Sequence, residues 1–243
     1  MIGYQNDLAY IHDAGFGYFA LEAAPGLLRI LRRHRIATGL VVDLGCGSGL
    51  WARELLQAGY SVCGYDISPD MIRRARRAAP RARFEVASLF DVTPPPCNAV
   101  TVLSEVINYA FDRRNNRAQV RSLFRRIYRA LEPGGVLLID FAEPGQLQTP
   151  KQAFWEGEDW AVLLDAREDH RRRQLTRDLT CFVRHGKNFR RSDETHLLKL
   201  YDVASMDTAL QAAGFLTQVH RAWGSWRLPH AHAAIIARKP PTS

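Results

Sequence analysis

Cysteine is scarce in this chain: Cys46, Cys63, Cys97 and Cys181 are the four among 243 residues. No two stand at metal-ligand spacing, so no metal is expected, and so few thiols do not make a disulfide framework. They read as buried, reduced side chains. Long apolar runs are missing too. None reaches the ~18 residues that a membrane-spanning helix needs, and no membrane partner is expected. The stretch Met1 to Asp7 has neither a basic leader nor an apolar signal core. A cytoplasmic location is the expectation that follows.

Acidic residues are outnumbered, 25 Asp and Glu against 33 Lys and Arg, which leaves a net charge of +8. Such an excess can mark a nucleic-acid partner. Here the arginines sit on amphipathic patterns. Met71, Ile72, Ala75 and Ala79 form an apolar stripe at helical spacing, with Arg73, Arg74, Arg76 and Arg77 off it. Val120, Leu123, Phe124, Ile127 and Leu131 form another, again with arginines outside. A solvated helix face explains both, so nucleic acid is disfavoured as a partner.

What the chain does have is Asp43-Leu44-Gly45-Cys46-Gly47-Ser48-Gly49. It closes the apolar run Leu40-Val41-Val42 and leads into the helical pattern that begins at Leu50. A glycine-rich turn between a parallel strand and a helix lets backbone approach a nucleoside ligand. Dinucleotide sites read G-x-G-x-x-G and face a pyrophosphate. Here the spacing is G-x-G-x-G, position 50 is Leu50, and Asp43 would repel a pyrophosphate. Spacing and charge favour S-adenosylmethionine, whose sulfonium and ammonium are cationic. Ser61 to Asp66 reads as a second strand, and Asp66 at its end suits ribose hydroxyls.

These segments resemble the class I S-adenosylmethionine-dependent methyltransferases, of small-molecule type. The resemblance runs through Val41–Gly49 and Gly64–Met71, then more weakly through Phe84–Asp91, Asn98–Tyr109 and Leu131–Ile139. It implies that Asp43, Gly45, Cys46 and Gly47 meet the methionine portion. Asp66 would hold the ribose, Ile67 and Met71 the adenine faces, and Ser88 and Leu89 the adenine edge. Many members carry Asp where this chain has Ser88. Leu103 and Ser104 would offer a carbonyl to the ammonium. Tyr109 would close over the site, or serve as a core aromatic. Tyr10 would fold over the cofactor from the N-terminal arm.

The strand and helix patterns alternate: strands near 40–45, 61–66, 82–87, 99–104 and 136–141, helices near 24–34, 50–58, 69–79 and 116–131. That rhythm predicts an α/β fold, a doubly wound, mostly parallel sheet. The resemblance implies seven strands in the order 3-2-1-4-5-7-6. Residues 145–202 break the rhythm with extended segments at 160–167, 175–184 and 195–201, predicting an antiparallel β insert after strand 5. Arg184 to Asn188 reads as its hairpin turn. A helix over 204–213, then strands near 215–223 and 231–238, complete the sheet. The expected division is an aromatic arm and helix (1–36), a cofactor-binding domain (37–144 with 203–243), and an insert (145–202) that caps an acceptor pocket.

Methyl transfer from a sulfonium needs alignment more than it needs a catalytic residue. His12, His196 and Tyr201 are the candidates for a base, and Trp155 and Trp160 for walls of the acceptor pocket; structural roles compete for each. His230 and His232 alone do not make a metal site. The expected activity is transfer of a methyl group to N or O of a small molecule. An RNA- or protein-modifying enzyme of the same fold is the alternative, as is a cofactor-binding module without activity. Against the nucleic-acid class, Ser104-Glu105-Val106-Ile107 stands where amino-directed enzymes carry Asn or Asp-Pro-Pro-Tyr or Phe. A homodimer stays open.

Overall fold

The computed structural model describes residues 3–241. Met1, Ile2, Thr242 and Ser243, at the ends of the expected arm and cofactor-binding domain, lie outside the described residues. The helices are α1 (Asn6–Ile11), α2 (Tyr18–Arg33), α3 (Leu50–Gln57), α4 (Pro69–Ala78), α5 (Arg117–Ala130) and α6 (Val203–Gln211). The strands are β1 (Leu40–Leu44), β2 (Ser61–Asp66), β3 (Arg83–Val86), β4 (Cys97–Val102), β5 (Leu131–Ala142), β6 (Lys151–Glu156) and β7 (Trp160–Asp169). After these come β8 (Gln174–His185), β9 (Asn188–Lys199), β10 (Leu216–His220), β11 (Ala222–Trp223), β12 (Trp226–Arg227) and β13 (His232–Arg238).

Seven strands form one sheet in the order β10-β13-β5-β4-β1-β2-β3. With β10 and β13 as the sixth and seventh strands, this is the expected 3-2-1-4-5-7-6. β3, β2, β1, β4 and β5 run parallel, and β13 pairs antiparallel with both β5 and β10. Both faces are covered, so the central strands are mostly apolar. On one face Leu123, Phe124 and Ile127 of α5 join Met206 and Leu210 of α6. On the other, Leu27 and Leu31 of α2, Trp51 and Leu55 of α3, and Ile72 and Ala75 of α4 pack together. Local signals set the helix starts: the Ser68 hydroxyl accepts from the Met71 N–H at 3.3 Å, and Asn116 caps α5.

The insert is a four-stranded antiparallel sheet, β6-β7-β8-β9. Its inner face carries Leu175, Cys181 and Val183, the period-two positions of β8, all buried. The β8–β9 hairpin turns at Gly186-Lys187, with Gly186 at φ +62°. β6 has no counterpart in the sequence reading: its pattern is exposed almost throughout, so alternation does not show.

The N-terminal reading needs correction. Residues 6–33 are almost continuously helical, not an arm followed by a helix at 24–34, and a π-helical turn spans His12–Phe16. Gly15 and Gly17 look like breakers, but they provide clearance. A Cβ at Gly15 would lie 2.6 Å from the Trp160 ring, and one at Gly17 2.7 Å from Leu50. Pro25 lies inside α2 on its exposed side. β5 also starts earlier than expected, at Leu131, which pairs with Cys97 across a register shift.

Candidate active site

β1, β2 and β4 end side by side, and a cavity opens beyond their carboxyl ends, the place where open α/β sheets bind ligands. The turn after β1 forms its floor. Gly45, Gly47 and Gly49 all take positive φ, at +80°, +51° and +82°. A Cβ at Gly49 would lie 2.8 Å from the Ala75 Cα, whereas at Gly47 nothing stands within 4 Å, so Gly47 presents bare backbone. The turn is tied to the second strand: the Gly47 N–H donates to Asp66 Oδ2 at 2.9 Å, and the Ser68 N–H to Asp66 Oδ1 at 2.8 Å.

Two carboxylates face the cavity with no ion pair to either among the described residues, though His12 near Asp66 favours its anion. Asp43 is 3 % exposed and accepts a hydrogen bond from Thr101 Oγ1 at 2.7 Å. Burial pushes its carboxyl up to about 7, with Asp66 nearby adding to the rise. Burial also raises Asp66, against the two backbone N–H groups that stabilise its anion. A buried carboxylate with no counter-ion calls for a cation.

Residues 41–135 match the model of the methyltransferase domain family. YqeM of Bacillus subtilis, named as a methyltransferase, is 26% identical over 191 residues, 75% of each chain. The trans-aconitate 2-methyltransferase of Rhodopseudomonas palustris (strain HaA2) is 33% identical over 128 residues; these cover 50% of this chain and 47% of that one. The chain thus spans about half the length of that relative. The sugar N-methyltransferase KedS8 from Streptoalloteichus superposes with a TM-score of 0.80 at 22% identity, over 98% of this chain and 94% of that one. At that identity the likeness is one of fold.

Residues 41–135 carry a methyltransferase domain, set in the class I S-adenosylmethionine-dependent methyltransferase fold.

The methyltransferase's cavity fits its cofactor by the chemistry of its donor set: an unpaired acid at the β1 end, a second acid at the β2 end, and exposed glycine backbone between them. Asp43, Gly45, Cys46, Gly47, Asp66, Ile67, Met71, Ser88, Leu89, Leu103, Ser104 and Tyr109 all line it. Tyr10 does not. Its hydroxyl donates to Asp159 at 2.7 Å and its ring packs under Arg74, so it ties α1 to the insert instead. The π-helical turn after α1 decides this. His12 and Phe16 on that turn face inward, as does Tyr4 ahead of α1, where Tyr10 turns out.

The other candidates separate in the same way. His12 lines the cavity; its Nδ1 is buried without a partner, 4.0 Å from Asp13 Oδ1. His196 is buried behind Tyr4, Tyr109 and Phe111, with Nε2 hydrogen-bonded to Glu194 at 2.8 Å, and does not reach the lining. Tyr201 is buried in the core, donating to Asn115 Oδ1 at 2.6 Å. Trp160 packs against Leu8 and Ile11 at the root of the insert, and Trp155, largely exposed, makes an edge-to-face contact with Phe16. Neither tryptophan walls the cavity. Ser88 donates to Asp112 Oδ2 at 2.6 Å, so the carboxylate missing from position 88 arrives from the loop after β4. Asp112 also lines the cavity.

Two arrangements go beyond the sequence reading, which had only Tyr109 closing over the site. The first is a roof. The Tyr4 hydroxyl meets the Tyr109 hydroxyl at 2.8 Å, the Tyr4 and Gln5 N–H groups donate to the Glu194 carboxylate at 2.8 Å each, and the Ser68 hydroxyl donates to the Tyr4 carbonyl. The second is a clamp beneath the end of β4. Ser104 and Glu105 both take left-handed backbone, φ +61° and +53°. The Glu105 N–H donates to Asp140 at 2.9 Å, and its carboxylate bonds Arg177 of β8 and His232 Nε2 of β13, the latter at 3.0 Å. Burial would raise Glu105, but Arg177 and His232 override it and hold its carboxyl at about 2. Asp140, with Trp223 as a second donor, is pushed by burial up to about 6. Among the described residues no cluster of metal-ligating side chains occurs and no helix is long and apolar enough to cross a membrane.

Proposed function

We propose that the enzyme transfers a methyl group to a nitrogen or oxygen of a small molecule held under the roof, by in-line displacement. Bound S-adenosylmethionine supplies an electrophilic methyl on a sulfonium. The protein's part is to hold and orient. Asp43 offers a carboxylate to positive charge, Asp66 a hydroxyl acceptor, and Ile67, Met71 and Leu89 an apolar slot. Gly45 and Gly47 offer bare backbone, and the Leu103–Ser104 end of β4 offers its carbonyls. The insert, through Glu194, and residues 4–5 cover the strand ends, which favours a small acceptor over a polymer.

The observation that carries the reading is the charge of the lining. Three acids, Asp43, Asp66 and Asp112, face the cavity; His12 is the one basic side chain among its described lining residues. A polycarboxylate of the trans-aconitate kind would find no arginine or lysine there. An amine or a neutral hydroxyl suits it better, as the name of the sugar N-methyltransferase neighbour suggests. An amine must lose a proton before or during attack. His12, the one basic side chain on the lining and set beside Asp13, is the group placed to receive it.

The test is release of S-adenosylhomocysteine with panels of small amines, hydroxyl compounds, polycarboxylates and RNA. Turnover of amines or hydroxyl compounds is expected. Turnover confined to polycarboxylates or RNA would overturn the assignment. In parallel, Asp66→Ala should weaken cofactor binding at least tenfold by calorimetry, and an unchanged affinity would remove Asp66 from the site.

A further inference from the structure

A second concavity lies on the other side of α2. Leu27 of that helix faces the cofactor cavity, while Arg29 and Arg33 face a separate cleft. Across the cleft stand Gln218 and His220 of the edge strand β10, and Arg227 of the β11–β12 hairpin. No acidic residue is among the described residues lining it. The side chains of Arg29, Arg33 and Arg227 have no hydrogen bond or ion pair among the described residues, and His220 Nε2 is buried without a partner. Beside the cleft, Arg238 also has a buried, unpartnered Nε. Burial and the Arg238 charge together hold the His34 imidazole, another lining group, below its ordinary range.

This arrangement has a cost and no internal compensation. Arg29 and Arg33 stand four residues apart on one helix face, where like charges repel. The negative end of a helix favours cations in its last turn only. That accounts for Arg33, but not for Arg29 one turn earlier or for the groups on β10 and the hairpin. Guanidinium groups converging from two elements match the geometry of phosphate oxygens. The cleft is walled by a helix, a strand edge and a hairpin, a concave shape that fits a compact ligand.

We infer that this cleft binds a small phosphate- or pyrophosphate-bearing molecule, held by Arg29, Arg33 and Arg227. The site is separate from the methyl-transfer cavity, and its test does not depend on the acceptor. Inorganic pyrophosphate is titrated into the full chain by calorimetry at ~0.15 M salt. Saturable one-to-one binding is expected. The Arg29→Ser/Arg33→Ser double variant changes only exposed positions and should lose at least tenfold in affinity. Gln218→Glu, which brings a carboxylate to the cleft, should weaken binding in the same direction. Both variants should bind S-adenosylmethionine as the parent does. No saturable heat, or parental affinity in both variants, would overturn the inference. So would a 20-nucleotide single-stranded RNA that displaces pyrophosphate at far lower concentration with a steep salt slope, the signature of a polynucleotide surface.

Discussion

Asp43 offers the sharpest test of how this enzyme meets its cofactor. The carboxyl is buried, its one hydrogen-bond donor is a neutral hydroxyl, and burial pushes it up to about 7 from an ordinary 3.8. Without cofactor it therefore keeps its proton over much of the range in which the unfolded chain has lost it. Stability of the free protein should decline as pH rises from about 4 to about 7, because the native state binds the extra proton. A cationic ligand beside Asp43 reverses the preference and favours the anion. If binding requires the anion, affinity below pH 7 should rise close to tenfold per pH unit, about 1.4 kcal/mol each. At pH 6, about 0.9 proton should leave per cofactor bound. Calorimetry of S-adenosylmethionine binding between pH 5.5 and 7, in two buffers of different ionisation enthalpy, reads both quantities. Asp66 is raised in the same direction, so Asp43→Asn isolates the effect. Asparagine keeps an oxygen for the Thr101 hydroxyl and has no proton to lose. Its pH slope should flatten and its affinity near neutrality should fall. A parental affinity independent of pH and buffer, or an unchanged slope in Asp43→Asn, would refute the argument.

Other perturbations probe the turn, the clamp and the insert. Gly49→Ala forces a side chain into left-handed backbone against the Ala75 Cα and should destabilise by about 2–4 kcal/mol, read from urea midpoints. Glu105→Gln leaves Arg177 buried without a counter-charge and should cost about 3–5 kcal/mol; adding Arg177→Met should restore part of it in a double-mutant cycle. Because Glu105 titrates at about 2 rather than its ordinary 4.5, its contribution is present above 4.5 and is lost as pH falls toward 2; acid unfolding should therefore shift in Glu105→Gln. Tyr10→Phe should lose about 1 kcal/mol of stability with its bond to Asp159, yet leave S-adenosylmethionine affinity unchanged. Weakened cofactor binding there would return Tyr10 to the site.

That Asp43, the glycine turn and Asp66 line one cavity was legible because they come from contiguous sequence. Asp43 to Gly49 and Gly64 to Met71 each carry a strand end, a turn and a helix start within a few residues, so local spacing suffices to place their chemistry. The roof and the clamp were not legible, because their members lie far apart along the chain. Tyr4 meets Tyr109 and Glu194, and Glu105 meets Arg177 and His232. The N-terminal helices were misread for a related reason. Gly15, Gly17 and Pro25 carry breaker signals locally, but tertiary packing against Trp160 and Leu50 needs the small residues and overrides the signal.

By itself, the order of apolar runs, glycines and acids determined the α/β alternation, the parallel sheet and the turn at its strand ends. Those are consequences of short-range patterning; the strand order came only through the family resemblance. Only the tertiary structure decided which aromatic covers the cavity, which histidine reaches it, and where the uncompensated arginines converge. A side chain's direction depends on helical phase and on partners that no local window contains.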